Sequence, residues 1–195
     1  MYRGYFKRFI DLLISIILLV ILSPVFLIIS IIIKIDSKGP VLFTQNRVGL
    51  NNKDFKIYKF RTMKVDAPSN SPTDALENAQ SWITNVGKFL RKTSLDEIPQ
   101  LINIISGQMS FVGPRPSLRN QENLNELRLK YNVFTVRPGI TGWAQVNGRD
   151  ELTNHEKALY DYEYVKKISL SFDIKCIIKT VSAVIFGKNI VEGKK

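Results

Sequence analysis

From Leu12 to Ile33 the chain carries no charge, and only Ser15, Ser23, Pro24 and Ser30 interrupt an otherwise apolar run. As one helix, at about 1.5 Å per residue, the run reaches about 33 Å, enough for a hydrocarbon core of about 30 Å. That exceeds the usual length of a buried helix in a water-soluble domain, so it places the chain on a membrane. Pro24 stands near the middle, where a helix loses a backbone hydrogen bond and the ring meets the preceding turn, which predicts a bend. Each arm alone is too short to span. Arg3, Lys7 and Arg8 precede the run and Lys34 and Lys38 follow it; cationic flanks favour the cytoplasmic side, so both ends are expected on one face. A straight single-span anchor stays open beside this returning segment, because membrane helices tolerate proline. A secretory signal peptide fits poorly: its apolar core is shorter and closes on a small-residue cleavage site, whereas this run continues into Ile31-Ile32-Ile33-Lys34.

The expected division is a membrane segment over 1–36 and one compact domain over 37–195, without repeats. Lys and Arg number 28 against 17 Asp and Glu, a net charge of +11, which favours an anionic partner: lipid headgroups, phosphates or nucleic acid. The single Cys176 rules out an internal disulfide and fits a reducing compartment. With His155 the only histidine, a His-rich zinc site has too few ligands. No P-loop or dinucleotide-binding glycine pattern occurs.

Beyond the run, Val41-Leu42-Phe43-Thr44 and 54–60 carry β-branched and aromatic residues around the polar turn Gly49-Leu50-Asn51-Asn52, which predicts a β-hairpin. The polar stretch 66–81 reads as a surface loop. Helices are expected over 100–105, 118–131 and 153–164. Near the C-terminus Ile174, Ile177, Ile178, Val181, Val184 and Ile185 recur at helical spacing, either in the core or in the membrane interface.

Chemistry is concentrated in Lys92-Thr93-Ser94-Leu95-Asp96-Glu97-Ile98-Pro99-Gln100. Ser94 and Glu97 have capping-box spacing, though a cap at Ser94 puts Pro99 beyond the first turn. At a helix start the ionised carboxylate is favoured, which leaves Asp96 available as nucleophile or metal ligand. Capping and catalysis are both open on these residues. Arg115, Arg137 and Arg149 each adjoin Pro or Gly. An arginine on a tight turn offers phosphate a planar fork at low entropic cost, and the recurrence favours that use over chance loop composition.

Further motifs follow one another along the chain: the Ser23-Pro24 break, Gln45-Asn46-Arg47-Val48-Gly49, Lys59-Phe60-Arg61-Thr62-Met63 and the run from Leu90 through Gln100. Met109-Ser110-Phe111-Val112-Gly113-Pro114-Arg115-Pro116, the run from Arg137 through Arg149, and Ser171-Phe172-Asp173-Ile174-Lys175 continue the series. In this order the motifs resemble those of the small monotopic phosphoglycosyl transferases, the bacterial sugar transferases that start glycan assembly on a polyprenol phosphate. The short chain is similar to the minimal members, which lack a multi-span N-terminal domain.

The resemblance implies an α+β, mainly helical fold: an N-terminal re-entrant membrane helix broken at Ser23 and Pro24, and a cytosolic domain with a small hairpin and interfacial amphipathic helices. It implies transfer of a sugar 1-phosphate from a UDP-sugar to undecaprenyl phosphate, with release of UMP and with Mg²⁺, on the cytoplasmic face of the bacterial inner membrane. Asp96 and Glu97 are then the catalytic dyad, with Asp96 as nucleophile and metal ligand. Lys59, Arg61, Arg115, Arg137 and Arg149 are the candidates for diphosphate or lipid-phosphate contact. Two positions depart from the family's pattern: Gln108, where an acidic residue is expected, and Trp82, where a basic one is common. The rival reading is a non-catalytic scaffold that binds anionic lipid. It explains the apolar run and the charge, but gives the dyad and the arginine turns no purpose. A nucleic-acid partner is not expected, because no recognition motif accompanies the basic balance.

Overall fold

In the computed structural model, which describes residues 2–68, 79–148 and 151–186, the apolar run is two helices. A π-helical turn Tyr2–Phe6 leads into α1 (Lys7–Ile21), which meets α2 (Ser23–Asp36) at Leu22. The pair is bent by 60°. Pro24 has no amide to offer the carbonyl of Val20, one turn back, and the Ser23 hydroxyl donates to that carbonyl at 2.8 Å instead. The serine thus satisfies the acceptor that the proline orphans. At about 1.5 Å per residue the arms measure about 22 and 21 Å, each short of a bilayer core.

The first arm is patterned inside out. Lys7, Asp11 and Ser15, one turn apart, are buried at 9%, 4% and 0% exposure, while Phe9, Leu13, Ile16, Ile17 and Val20 are exposed. A helix on a water-soluble domain shows the reverse. The inner polar groups have partners in the body of the protein: Lys7 Nζ donates to Asp173 Oδ2 at 2.6 Å, and Ser110 Oγ donates to Asp11 Oδ2 at 2.7 Å. The second arm exposes Leu27, Ile28, Ile31, Ile32 and Ile35 and buries Ile29 and Ile33 against Phe60 and Leu90. Leu18, Leu19 and Leu22 pack on Ile57, Leu101, Ile104 and Met109. The apolar run therefore shares two core clusters with the residues that follow it.

The hairpin forms as expected, from β1 (Leu42–Val48) and β2 (Asp54–Phe60), with Leu42 opposite Phe60 and Val48 opposite Asp54. Asn51 and Asn52, at φ 55° and 59°, make its turn in the left-handed region that asparagine tolerates. β1 runs four residues past the apolar stretch because Gln45, Asn46 and Arg47 lie on a half-solvated sheet, where strand residues need not be apolar.

Then come α3 (Ala79–Trp82), α4 (Asn85–Thr93), α5 (Gln100–Ile105), β3 (Ser110–Val112), α6 (Glu122–Lys130), β4 (Gly139–Thr141), α7 (Trp143–Val146), α8 (Asn154–Lys167) and α9 (Leu170–Phe186). Of the loop expected over 66–81, residues 69–78 lie outside the described residues. α6 starts later than expected because the Leu118 amide bonds the Gln121 side chain at 2.9 Å, forming a turn ahead of the helix. A parallel pairing of β3 with β4, Ser110 opposite Gly139 and Val112 opposite Thr141, was not anticipated. Strands this short show no periodicity. Glycines permit the approach: a Cβ on Gly139 would lie 2.1 Å from the Gly113 nitrogen, and one on Gly113 would lie 2.4 Å from the Arg137 carbonyl oxygen. α9 buries Asp173 and Cys176 and exposes Ile174, Ile177, Ile178 and Val181, so the described part of the apolar stripe faces away from the core.

Candidate active site

The dyad sits where α4 gives way to α5. Ser94 ends α4 in the left-handed region, φ 57° and ψ 16°, with its amide closing onto the Arg91 carbonyl. The Ser94 side chain makes no cap hydrogen bond, so the capping alternative at Ser94 and Glu97 does not form; a capping box joins Thr153 and Glu156 at the start of α8. Leu95, Asp96 and Glu97 make one 3₁₀ turn before Pro99 leads into α5. Leu95 and Ile98 point into the core beside Phe60 and Leu90, so the carboxylates between them are set by apolar anchors on either side.

Lys59, next to the buried Phe60 at the end of β2, reaches both acids. Its Nζ lies 2.6 Å from Glu97 Oε1 and 3.8 Å from Asp96 Oδ2. Arg115 Nη1 approaches the same Glu97 oxygen at 3.4 Å. Asp96 is 8% exposed, and burial pushes its carboxyl above the ordinary carboxylate range. Lys59 opposes that rise, the Glu97 charge adds to it, and Arg91 and Arg115 oppose it again. Glu97 thus takes the closest ion pair with Lys59, while the Asp96 oxygen stays beyond hydrogen-bond distance of that ammonium. Glu97 is the principal partner of the two cations, and Asp96 is the more distant carboxylate.

Arg115 is held by its backbone. The Arg128 guanidinium donates to the Arg115 carbonyl at 2.9 Å and is itself anchored on Asp161 at 2.6 Å, both side chains almost wholly buried. Arg47 donates to the Pro116 carbonyl at 3.1 Å, and the amides of Gly139 and Val48 donate to the carbonyls of Pro114 and Ser117, each at 2.9 Å. In place of the tight turn expected of Gly113-Pro114-Arg115-Pro116 there is a bend at Gly113 followed by irregular backbone, held by these outside donors.

The other arginines separate. Arg61 turns away from the dyad and donates to the carbonyls of Ser37 and Lys38, at 2.7 and 2.6 Å, capping the exit of α2. Strand alternation would put Lys59 and Arg61 on one side, but β2 ends at Phe60 and the rule lapses there. Arg137 Nε donates to the Gly107 carbonyl at 2.8 Å, beyond the far end of α5. Arg149 lies outside the described residues. Sequence reasoning missed Arg91, whose charge bears on Asp96 and whose Nε donates to Thr62 Oγ1 at 3.0 Å. Its place in Leu90-Arg91-Lys92, at the C-terminal end of the helix leading to the dyad, was the available signal. Gln108 accepts from Asn103, which also bonds the Tyr58 amide and the Lys56 carbonyl, so it braces α5 on β2. The Trp82 carbonyl receives the Lys64 amide.

The two carboxylates also bear on metal binding. Among the described residues no group of three His, Cys, Asp or Glu side chains could enclose an ion. The acids fit Mg²⁺ held through one carboxylate and the oxygens of a bound diphosphate, the usual way that ion is carried, and do not fit an all-protein cage.

A family model described as Bacterial sugar transferase matches residues 2–187. The chain is 43% identical over 182 residues to the UDP-glucose:undecaprenyl-phosphate glucose-1-phosphate transferase of Escherichia coli (strain K12), covering 90% of this chain and 39% of that protein. It is 37% identical over 189 residues to the UDP-N-acetylgalactosamine-undecaprenyl-phosphate N-acetylgalactosaminephosphotransferase of Aeromonas hydrophila, covering 94% of this chain and 44% of that protein. It is 36% identical over 195 residues to the exopolysaccharide production protein ExoY of Sinorhizobium fredii (strain NBRC 101917 / NGR234), covering 93% and 86%. The chain therefore spans about two fifths of the length of the first two relatives and most of the third.

Proposed function

The chain belongs to the bacterial sugar transferase family, and from that premise we propose that it transfers a sugar 1-phosphate from a UDP-sugar to undecaprenyl phosphate, releasing UMP, as the first membrane step of a bacterial polysaccharide or glycoconjugate. The observation that carries this reading is the buried Asp96 beside a Glu97 that holds Lys59 and Arg115.

In the proposed sequence an Asp96 carboxylate oxygen attacks the β-phosphorus of the donor. The bond from that phosphorus to the bridging oxygen breaks, and UMP leaves with the electron pair. The undecaprenyl phosphate oxygen then attacks the same phosphorus, which frees the Asp96 carboxylate and leaves a lipid diphosphate sugar. Lys59, Arg91 and Arg115 offset charge on the phosphoryl oxygens, and Glu97 orients Lys59 and Arg115. Mg²⁺ held through Asp96 and the donor's phosphates would supply further charge neutralisation. Arg149 remains a proposed phosphate contact from the motif it closes. Arg61 and Arg137 bond carbonyls away from the dyad and are given no part in this displacement.

The inside-out pattern of α1 and the bend at Leu22 support a segment that enters one leaflet and returns, with the domain on the cytoplasmic face of the inner membrane. The exposed apolar face of α9 fits the interface beside it. A lipid-binding scaffold needs no buried acid beside clustered cations, so it is the weaker account. The test is to incubate the protein in membranes with undecaprenyl phosphate, Mg²⁺ and a panel of UDP-sugars and to measure UMP. Release with one or more donors is expected; a folded protein that releases none with any donor overturns the enzyme reading.

A further inference from the structure

Beyond the far end of α5 from the dyad lies a small cavity of about 60 Å³, with Arg3, Lys7, Arg8, Asp11, Arg137 and Tyr164 in its lining. It shares no lining residue with the cluster of Lys59, Asp96, Glu97 and Arg115. Its cations are not equivalent. Lys7 is paired with Asp173 at 2.6 Å. The three arginines meet only neutral oxygens: Arg8 donates to the carbonyls of Ile104 and Ile105, Arg137 to that of Gly107, and Arg3 to the Thr135 hydroxyl and carbonyl. Among the described residues no carboxylate forms an ion pair with any of them, and both Arg137 Nη atoms make no hydrogen bond. Arg8 and Arg137 converge on one turn, with Arg8 Nη2 3.5 Å from where a Cβ on Gly107 would stand and Arg137 Nε 2.8 Å from the Gly107 carbonyl oxygen.

Three guanidiniums with donors to spare, two of them side by side, outnumber the one Asp11 carboxylate in the lining; such a cluster favours an oxyanion that can take two forks, and phosphate is the group whose geometry suits them. The cavity opens where α1 begins. Tyr5, 93% exposed, with Phe6 and Phe9, stands beside it, the type of residue that settles at headgroup level. Resting on the membrane reading above, we propose that this cavity binds the phosphate of an anionic membrane-lipid headgroup, at a site separate from the reacting phosphates. The lipid ties the start of the membrane segment to the 104–107 turn through Arg3, Arg8 and Arg137.

The test uses the full chain in phosphatidylcholine nanodiscs with and without phosphatidylglycerol, and counts retained phosphatidylglycerol by native mass spectrometry. Arg3→Gln with Arg137→Gln is expected to weaken retention about tenfold, the scale of one lost charge-assisted hydrogen bond. Arg119→Gln, which removes an equally positive side chain from the exposed pair with Asp54, leaves retention unchanged. Arg137→Lys, more conservative for folding, falls between the two. Equal retention by all variants, or equal loss with Arg119→Gln, overturns the site. Calorimetry with inorganic phosphate separates the sources: phosphate that displaces the lipid at equal concentration overturns the lipid assignment. Failure of the enzyme reading shows differently, as absent UMP release with lipid retention intact.

Discussion

At Asp96 burial and the Glu97 charge raise the carboxyl, against Lys59, Arg91 and Arg115. Attack on phosphorus needs the ionised form, so the acid limb of UMP release is expected above about 3.9, the ordinary aspartate value, in a single-turnover pH profile. The folded state holds this proton more tightly than the unfolded one, so the carboxyl's contribution to stability falls as pH rises from the unfolded to the folded value. Asp96→Asn should therefore lose about 10⁴-fold in rate without melting lower at neutral pH. A variant that lost both would mark Asp96 as structural. Arg115→Lys keeps the charge but loses the fork, and about 10²-fold in kcat is expected with an unchanged melt. Arg61→Lys should do the opposite, costing about 1–3 kcal/mol by leaving the carbonyls of Ser37 and Lys38 without their fork, with the donor KM unmoved; a raised KM would return Arg61 to the substrate. Adjacent letters left capping and catalysis both open at Asp96 and Glu97. They could not separate Lys59 from Arg61, because the end of a strand decides which way each points, and no local rule fixes that end.

Among elements, those set by their own residues were legible. Pro24 predicts the bend, Asn51 and Asn52 the hairpin turn, and the periodicity of 153–164 a helix that in fact runs from Asn154 to Lys167. The β3–β4 pair was not legible, because it depends on glycines separated in the chain that let two backbones touch. Capping-box spacing misled at Ser94 because a left-handed residue there ends one helix before the next begins. The Ser23 hydroxyl and Pro24 act as a unit on the Val20 carbonyl. Ser23→Ala with Pro24→Leu restores an amide and a continuous ladder. N-terminal and C-terminal tags, expected on one side of the bilayer in the parent, should then be found on opposite sides. Tags already opposed in the parent would exclude the returning segment.

For the whole molecule, the decisive join is between α1 and a residue near the other end of the chain. Asp173 receives Lys7 Nζ and the Tyr2 hydroxyl, each at 2.6 Å, and the Tyr164 hydroxyl at 2.8 Å. Breaking such a buried pair costs about 3–5 kcal/mol, so Asp173→Ala should lower the melting temperature in detergent and open the Tyr2–Lys7 turn to protease; an unchanged melt would show the join to be incidental. The polar inner stripe of α1 also sets an order of events during synthesis. Lys7 and Asp11 are synthesised before their partners Asp173 and Ser110, and until then α1 carries its charges without them. The inner face of α1 is therefore completed by residues made 166 positions after Lys7 and 99 after Asp11, so the seat of this helix is among the last features of the fold to close.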